Sequence, residues 1–474
     1  SDTDGANVIS GPDQLYGMGM GNISNAPGHV NEVRAVGNAI MEFSFKRLNF
    51  AGYYLSEGQG DYYGFLGSLP PPHSSKAFRF KNYGGQVKQK IHITENLQIE
   101  YNLGFFRHRF SSALTFQQPP GFADVYTERM AASPFYQEDR IDARIDLAYR
   151  GWKKHYLQLG AAYADTGIDS AWHDTNYLPS TGAPLSLVTR FNGAENWIEE
   201  GMDRRLANLT LQDEYKLNDK VSITAGLRFD HYDDVDSELS PRIAAVWRVT
   251  QNHIIKGQYA RAFCPPTFNQ LYSKSNPYLV GNPAIGPETI DTIELSYLYR
   301  DESTMGRLTY FHSDLDNLIS SGGGTYSNTG GTTIAGAELE IELKFLERFK
   351  LDSNISYSHS RNSITRAPIP GVAEWLADLG IIYEPERDMV FSLQYTFVGK
   401  RNRAETDTRK KLKGYNTVDA TINLYNCLTP GLTLRAGMKN ILNEDVYYAA
   451  PENLYVNDYP RPGREWWTKI SYEF

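Results

Sequence analysis

Aromatic and arginine side chains are the residues of this chain best suited to ligand chemistry, and they concentrate in its longer connecting segments. Aromatic rings stack on flat ligands, and a guanidinium group beside a ring adds charge and cation–π attraction. The pattern predicts recognition of a flat, anionic small molecule, although rings that only pack the loops would give the same composition. The candidate ligand-binding residues are Tyr126, Arg129, Tyr136, Trp172, Arg190, Tyr326, Arg401 and Tyr447.

A second set of charged residues lies on segments that alternate strictly. In residues 337–345 every odd position is apolar and every even position is charged. A strand turns successive side chains to opposite faces, so this pattern predicts one face in lipid and one face in a hydrated lumen. A solvated wall explains these charges without any specific partner. The predicted lumen-facing residues are Arg228, Glu338, Glu340, Glu342, Asp419, Arg435 and Lys439.

Metal-binding chemistry has only a weak candidate. The acidic run 230–238 contains Asp233, Asp234 and Asp236, whose oxygens suit a hard cation such as Ca²⁺. The run lacks the glycine-bearing twelve-residue loop of a dedicated calcium site, so a plain acidic loop is the stronger interpretation. The ten histidines are scattered and form no pair at metal-ligand spacing. We therefore predict no cofactor.

Catalytic chemistry is not indicated either. The sequence contains no nucleophile elbow, no phosphate-binding loop and no recognisable order of Ser, His and Asp. The expectation is a protein that is not an enzyme. The enzyme alternative is a hydrolase with a catalytic histidine at one rim of a barrel, at His173 or His231.

The elements that must position these residues are β-strands. Segments of about ten alternating residues recur from Val33 to the end of the chain, and this is the length that a tilted strand needs to cross a bilayer. No run approaches the roughly 18 apolar residues of a membrane-spanning helix. The predicted fold is all-β: a transmembrane antiparallel β-barrel with about 19 readable strands. Residues 1–32 are predicted to be loop-like, and residues 33–474 to form the barrel.

Composition agrees with this fold. Apolar residues make up 41% of the chain, and 32 Tyr against 7 Trp suits strands that end at a lipid–water boundary. The net charge of −9 gives no basic surface for nucleic acid. The strand order places Cys264 and Cys427 at opposite ends of the barrel, too far apart for a disulfide. We predict two free thiols.

Connections between the predicted strands alternate between short turns and long loops. Short turns carry Asn, Asp, Pro and Gly, as in residues 216–219 and 429–431. The long set includes 111–138, 164–202, 263–288, 319–333, 400–411 and 443–463. This asymmetry is typical of outer-membrane barrels, whose long loops face outward. Ligand recognition is therefore predicted in the long loops.

Several ordered motifs resemble the TonB-dependent outer-membrane receptors. They begin with LSPR at 239–242, QYARAFCPPTFNQLY at 258–272 and GNPAIGPET at 281–289. GAELE at 336–340, KNILNE at 439–444, PGR at 462–464 and the terminal Phe474 continue the likeness. Haem receptors of this family usually carry a histidine between two motifs, and residues 263–279 occupy the corresponding stretch here. This stretch contains no histidine, which argues against haem as the ligand.

The resemblance implies a barrel of 22 strands around an N-terminal plug domain, in the Gram-negative outer membrane. It implies active uptake of a scarce ligand, with a ferric siderophore as the first expectation and cobalamin as the second. The implied partners are outer-membrane lipid, a small-molecule metal chelate and the TonB energy-coupling complex acting through the plug, and a monomer is expected. Lumen-facing charges would hold the plug. No segment of this sequence resembles a plug domain, and the first two or three strands of the barrel are also predicted to be missing. A passive, substrate-selective porin remains the alternative.

Overall fold

Antiparallel β-sheet dominates the computed structural model, which describes residues 2–3, 8–64, 66–72, 75–276, 279–451 and 453–473. Pro277 and Tyr278, which belong to the histidine-free stretch 263–279, and the terminal Phe474 lie outside the described residues. The long strands are β1 (Arg34–Phe45), β2 (Leu48–Gln59), β3 (Phe78–His92), β4 (Leu97–Ser112), β5 (Met130–Tyr149), β6 (His155–Tyr177), β7 (Asp203–Lys216), β8 (Val221–Tyr232), β9 (Glu238–Arg248), β10 (His253–Cys264), β11 (Glu288–Arg300), β12 (Thr304–Asp316), β13 (Gly331–Phe345), β14 (Phe349–Asn362), β15 (Trp375–Glu386), β16 (Met389–Val398), β17 (Tyr415–Leu424), β18 (Leu432–Lys439) and β19 (Glu465–Tyr472).

Each long strand from β1 to β18 pairs antiparallel with the next one along the chain. The sheet contains 22 strands in the described part of the chain, because the short strands Asp2–Thr3, Thr115–Gln118 and Pro184–Phe191 join its rim. These three segments have two to eight residues and add no further crossing of the sheet. The 19 long strands agree with the number predicted from the alternating pattern.

The shorter elements lie in the connections at the outer end of the sheet or before β1. Two small hairpins stand in the loops after β12 and β18, and a third pairing lies in residues 8–29. No helix in the described residues is long and apolar enough to span a membrane. The short strands are Val8–Ile9, Gly28–His29, Ile319–Gly322, Thr325–Asn328, Tyr447–Tyr448 and Tyr459–Pro460; the helical segments are Gln14–Gly17, Gly21–Ile23, Phe122–Asp124, Gly193–Glu195 and Phe268–Tyr272.

The two faces of the sheet differ in chemistry. Leu339 on β13 lies opposite Leu308 on β12, and both side chains are exposed. One residue further, Glu340 lies opposite Arg307, and the two side chains form an ion pair. The same division recurs on other strands, with exposed apolar residues such as Leu209, Ile293 and Ile470. The outer face is therefore a broad apolar band, and the inner face carries the charges.

Buried apolar residues belong to the loops and the upper ends of strands rather than to the sheet wall. One cluster joins Ile9, Ala26, Leu69, Ala450 and Tyr455, which come from three separate segments. Two further clusters form at the outer parts of β5 and β6. There the loops 113–129 and 178–202 and the Phe268–Tyr272 helix pack on the inner side of these two strands. In the described residues these clusters do not extend over the wall itself, as expected for a barrel with lipid outside and water inside.

Two strands extend much further outward than the sequence predicts. β5 has 20 residues and β6 has 23, and they extend into the segments predicted as the loops 111–138 and 164–202, over residues 130–138 and 164–177. The prediction was wrong there because alternation of apolar and polar residues marks a strand only where one face meets lipid. Above that level both faces are polar or packed, so the strand continues without its period-two signal.

A close contact explains the glycine of the GAELE motif. Gly336 on β13 packs beneath the ring of Phe311 on β12, and a Cβ atom there would overlap both the ring and the carbonyl oxygen of Tyr357. We expect Gly336→Val to lower the free energy of unfolding by about 1–3 kcal/mol, because overpacking forces neighbours to shift. Gly306→Val on β12 is the matched control, since a Cβ atom at Gly306 meets nothing within 4 Å. Thermal unfolding of both variants in detergent measures the difference, and equal losses would contradict this explanation.

The cysteines occupy opposite ends of the sheet. Cys264 is exposed at the outer end of β10, and Cys427 lies in the short turn between β17 and β18. Both are free thiols, as the strand order predicts.

Candidate functional site

A concavity of about 560 Å³ on the inner face contains only arginines as charged lining residues. It lies across β5 and β7 to β10, from the middle of these strands to their outer ends, where tyrosine, phenylalanine and glutamine side chains complete the wall. Clustered guanidinium groups on a curved wall favour an anionic occupant. Arg144, Arg228 and Arg242 point into the concavity, whereas Arg261 borders it from β10 with its side chain on the outward face, beside Asp291.

These arginines are held to different degrees. Arg228 donates two hydrogen bonds to the fully buried carboxylate of Asp230, at 2.7 and 2.6 Å. Arg144 makes a similar pair with Asp146. Within the described residues, no hydrogen bond or ion pair holds the exposed side chain of Arg242. Arg242 is therefore the arginine whose charge remains most available to a ligand.

A second cavity, of about 280 Å³, lies further out between the inner face of β5 and β6 and the loops that fold over it. Phe78, Met130, Tyr177 and Trp197 make most of its wall apolar or aromatic. His173 also lines it, and the Nδ1 atom of His173 is buried without a hydrogen-bond partner in the described structure. This cavity suits an aromatic or amphipathic group that offers a hydrogen bond.

His173 lies above the apolar band, because the outward side chains of β6 change from Tyr163 to Asp165 well before it. Burial lowers the pKa of His173 to about 4. An unfolded histidine titrates near 6.5, so this group stabilises the fold fully above that pH and its contribution is lost as the pH falls from about 6.5 to 4. The imidazole is therefore neutral at pH 7.

Replacing His173 with leucine tests whether the His173 side chain is neutral and lacks a hydrogen-bond partner. We expect His173→Leu to leave stability unchanged or to raise it by up to about 1 kcal/mol, because it removes an unsatisfied buried polar atom. The variant should also lose the part of the pH dependence that falls between pH 6.5 and 4. Thermal unfolding of wild type and variant across this range measures both effects. A loss of more than about 2 kcal/mol at pH 7 would mean that His173 has a partner that this description lacks.

Two loops form the inner lining above the sheet. Ile198 and Phe268 pack against Ile168 and Ala171 of β6. The second loop is shaped by the PPTFNQLY part of its motif, because Thr267 and Gln270 form a capping box that starts the Phe268–Tyr272 helix. These loops therefore cover the inner side of β6 at its outer end.

The acidic run is used to hold one of these loops. Asp234 pairs with Arg204 through two nearly buried side chains, and Arg204 also donates to the carbonyl oxygen of Pro266 at 2.8 Å. Asp233 accepts a hydrogen bond from the backbone of Arg205, and Asp236 lies beside Gly286. In the described part of the chain no group of three or more His, Cys, Asp or Glu is arranged as metal ligands. The weak calcium hypothesis therefore gains no support from this geometry.

Three predicted ligand-binding residues lie on or near β5. Tyr126 is buried in a loop cluster and donates to the carbonyl oxygen of Gly182. Arg129 borders a shallow depression on the outer rim. Tyr136 is on the inner face, where its ring packs edge-on against Trp197 at 5.6 Å between ring centroids. Tyr126 and Tyr136 both border the histidine cavity, Tyr126 through Met130 and Tyr177 and Tyr136 through Trp197.

Trp172 and Arg190 lie on the outward face. Trp172 stacks on Phe135 with ring centroids 3.6 Å apart, and the guanidinium of Arg190 lies 4.7 Å from the Trp172 ring. Arg190 also donates two hydrogen bonds to Asp174. A one-residue bulge between Ile168 and Ser170 produces this orientation, since it moves even-numbered residues of β6 to the outer face.

The remaining ligand candidates lie in loops away from the arginine concavity. Tyr326 is in the hairpin after β12, and its carbonyl oxygen accepts a hydrogen bond from Asn282. Arg401 is buried between Tyr415 and Tyr448 and donates to the carbonyl oxygen of Tyr447 at 2.8 Å. The Tyr447 side chain is exposed. The eight candidates are therefore spread around the rim and do not form one cluster.

The predicted lumen-facing residues lie on the inner face and mostly pair within the wall. Glu342 pairs with Lys350, Lys439 pairs with Glu465, and Asp419 accepts from the backbone of Asn440. Arg435 stacks over Tyr425, and its buried Nε atom has no partner in the described structure. Glu338 lines a mixed-charge concavity together with Arg307 on β12 and Glu340 on β13.

Three loop segments are joined by a buried network that the sequence does not indicate. Arg403 donates to both carboxylate oxygens of Asp458, at 2.8 and 2.5 Å, and Arg409 binds Asp407 at 2.7 Å. Tyr455 is buried, and its hydroxyl donates to the carbonyl oxygen of Tyr63. Burial raises the pKa of Tyr455, so its hydroxyl stays protonated and remains a donor. We call Arg403, Asp407, Arg409 and Asp458 the loop clasp.

Sequence patterns alone did not identify the arginine concavity, the His173 cavity or the loop clasp. Each combines residues from segments far apart in the chain. For the concavity a signal existed, because Arg144, Arg228 and Arg242 each occupy the polar face of an alternating strand. The clasp leaves no such signal, since its residues lie in irregular loops.

A family model described as "TonB dependent receptor-like, beta-barrel" matches residues 35–441. The chain belongs to the TonB-dependent receptors. The matched TonB-dependent receptor region begins in β1 and extends to the loop after β18. The family consists of receptors and transporters, in agreement with the absence of a predicted catalytic motif.

Curated TonB-dependent receptor relatives are distant. The "Iron-regulated outer membrane virulence protein" of Vibrio cholerae is 25% identical over 295 residues, which cover 56% of this chain and 44% of that protein. The "Ferric enterobactin receptor" of Pseudomonas aeruginosa is 23% identical over 75% of this chain and 52% of its own length. The "Vitamin B12 transporter BtuB" of Vibrio cholerae is 23% identical over 72% and 55%. The chain spans about half the length of these relatives.

Solved structures of TonB-dependent receptors share the fold. The siderophore receptor PirA from Acinetobacter baumannii superposes with a TM-score of 0.71 at 15% identity, covering 96% of this chain and 73% of that one. At this identity the match supports the architecture alone. It confirms the predicted transmembrane antiparallel β-barrel.

Proposed function

We propose that this chain is the barrel part of an outer-membrane receptor that takes up an anionic metal chelate, with a ferric siderophore as its cargo. Family membership supports the transport class, and two curated relatives carry iron-related names. The observation that supports the choice of cargo is the arginine concavity, whose inward-pointing charged lining residues are three arginines. Positive charge on a curved, partly enclosed wall attracts and retains anions.

The outer loops would make the first contact with the chelate. The aromatic wall of the His173 cavity and the loops above it offer stacking surfaces at the mouth. From there, the arginine concavity would hold the chelate on the inner face. No catalytic step is part of this proposal.

Energy coupling would need a plug domain and the TonB complex. Both are proposed on family membership, because the chain covers about half of its relatives. The inner face offers the plug a hydrated surface of charged residues, including Glu338, Arg435 and Arg242. A plug held by hydrogen bonds and ion pairs can move without the cost of breaking an apolar interface.

Cobalamin is the second candidate cargo, because one relative is named as a vitamin B12 transporter. Cobalamin lacks the several negative charges of many ferric chelates, so the arginine lining would attract it less strongly. A porin without a plug is the passive alternative. Uptake and conductance measurements on the full-length receptor would distinguish these three functions.

The test is uptake by a Gram-negative host that lacks its own siderophore and cobalamin receptors and carries the full-length gene. We expect uptake of radiolabelled ferric enterobactin or another ferric siderophore, and we expect this uptake to disappear in a host without TonB. Uptake of cobalamin without uptake of ferric siderophore would contradict the proposed cargo and identify cobalamin as the cargo. High single-channel conductance with TonB-independent uptake would support the porin and contradict the receptor.

A further inference from the structure

A basic patch stands on the outward face of β3 and β4, just above the apolar band. Arg79 and Lys81 lie on β3, and Arg107 and Arg109 lie opposite this strand on β4. Lys81 is paired in register with Arg109, and both alternate with inward residues such as Phe80 and Phe110. We define the basic patch as Arg79, Lys81, Arg107 and Arg109, with Lys76 beside it against Gly58.

The height of the basic patch follows from the residues below it. On the same face, Tyr83 and Phe105 come next toward the short-turn end, followed by Leu103, which is 60% exposed. The guanidinium of Arg107 lies 5.7 Å from the ring of Phe105 and 5.9 Å from that of Tyr83. Aromatic rings at the edge of an apolar band mark the membrane interface. The basic patch therefore stands at the level of lipid headgroups.

Charge around the basic patch is unbalanced. Arg107 pairs with Asp139, and Asp169 accepts a hydrogen bond from Gln137, which in turn binds Arg109. In the described structure no ion pair or hydrogen bond holds the exposed side chains of Arg79 and Lys81. Two carboxylates thus face five cationic side chains, and the two most exposed cations remain available.

Other outward surfaces at the same level are mixed. On β10 to β12, Arg261 faces Asp291, and His312 pairs with Asp314. On β7, Arg205 lies between Asp165 and Asp233. The excess of positive charge at β3 and β4 is therefore not shared by these two surfaces.

We propose that the basic patch binds phosphate groups on the headgroup of a lipid in the outer leaflet. This goes beyond cargo uptake, and it rests on the proposed outer-membrane location. Guanidinium and ammonium groups bind phosphate by charge-assisted hydrogen bonds, and the planar guanidinium can bind two oxygens at once. The adjacent apolar face of Leu103 and Phe105 would contact the acyl chains of the same lipid, so one lipid would satisfy both surfaces.

Binding of bis-phosphorylated lipid A and of dephosphorylated lipid A to the full-length receptor in detergent tests the proposal, with native mass spectrometry as the readout. We expect the wild type to prefer the phosphorylated lipid by at least about tenfold. The double variant Arg79→Gln/Lys81→Gln should bind the phosphorylated lipid roughly 20-fold more weakly, since each basic residue near a lipid surface contributes about fivefold. Its binding of the dephosphorylated lipid should not change.

The matched control is Arg361→Gln/Lys220→Gln, which removes the same charge from exposed positions on β14 and in the turn between β7 and β8. Heat-modifiable migration on gels confirms that each variant is folded, and siderophore uptake is measured on the same proteins. Equal affinity of the wild type for both lipids would overturn the proposal, as would an equal loss in the control. Because the basic patch is outside the barrel, uptake can succeed while lipid preference fails, and the two proposals are judged separately.

Discussion

Asp458→Ala is expected to release the loops that join at the loop clasp. The change leaves the Arg403 guanidinium, whose side chain is only 8% exposed, without its two carboxylate oxygens. Removing one member of a buried ion pair costs about 3–5 kcal/mol. The lower end of this range is expected here, because Asp407 still lies 3.6 Å from Arg403 and keeps part of its charge paired. The loss should be local, since the clasp lies in loops above the sheet and opening there does not require the wall to unfold.

Amide hydrogen exchange measures this opening. Residues 399–414 should exchange at least roughly 100-fold faster in Asp458→Ala, in line with a local cost of about 3 kcal/mol. Lys411→Ala is the control, because Lys411 is an exposed side chain in the same loop. Unchanged exchange in Asp458→Ala, or equal acceleration in the control, would show that the clasp does not hold these loops.

The clasp also predicts a pH dependence. Hydrogen bonds from Arg409 lower the pKa of Asp407 from 3.8 to about 2. A carboxyl group with a lowered pKa stabilises the folded state above its unfolded pKa, and this contribution is lost as the pH falls through the folded value. Exchange of residues 399–414, corrected for its intrinsic pH dependence, should therefore be constant between pH 5 and 8 and should accelerate between about pH 4 and 2.

Arg242→Glu is expected to have the largest effect on ligand binding. Arg242 is the arginine of the concavity that is not held by a carboxylate in the described structure, so its charge is directed at whatever enters. A hydrogen bond to a charged group contributes about 1.5–3 kcal/mol, so Arg242→Gln should weaken ferric siderophore binding roughly 10- to 100-fold. Charge reversal should weaken it further, by at least about 100-fold, because repulsion is added.

Equilibrium binding to the purified full-length receptor measures this effect. Lys344→Gln provides a control on the same inner face, at the short-turn end of β13 and far from the outer mouth. Cobalamin provides a second control, because a ligand without several negative charges should not respond to Arg242. If Arg242→Glu binds the ferric siderophore as tightly as the wild type does, the concavity is not part of the binding site.

The sheet was predictable where lipid and water impose opposite demands on alternate residues. Residues 337–345 show this, since the apolar and charged sets of the sequence occupy the two faces of β13. The free thiols of Cys264 and Cys427 followed from the same strand order. In both cases the information is local, because the environment of each residue depends on its parity within one strand.

The site was less predictable, because a bulge or a loop breaks the rule that odd and even residues of a strand point to opposite faces. The bulge between Ile168 and Ser170 reverses the faces of the outer part of β6. It turns Trp172 outward and His173 inward, and no composition signal marks the bulge. Likewise, the pairing of Arg403 with Asp458 depends on how two loops fold against each other across 55 residues of sequence. Ligand contact by the eight rim candidates remains a prediction.

The unequal lengths of the strands give the receptor an oblique entrance. β6 has 23 residues and β17 has ten, so one side rises beyond the other by about 30 Å if the strands are tilted near 45°. Large particles such as antibodies or bacteriophages, arriving from above, would touch the tall side first. On the low side, the loops joined by the clasp stand above the short strands. An approaching molecule therefore meets regular sheet on one side of the entrance and irregular loops on the other.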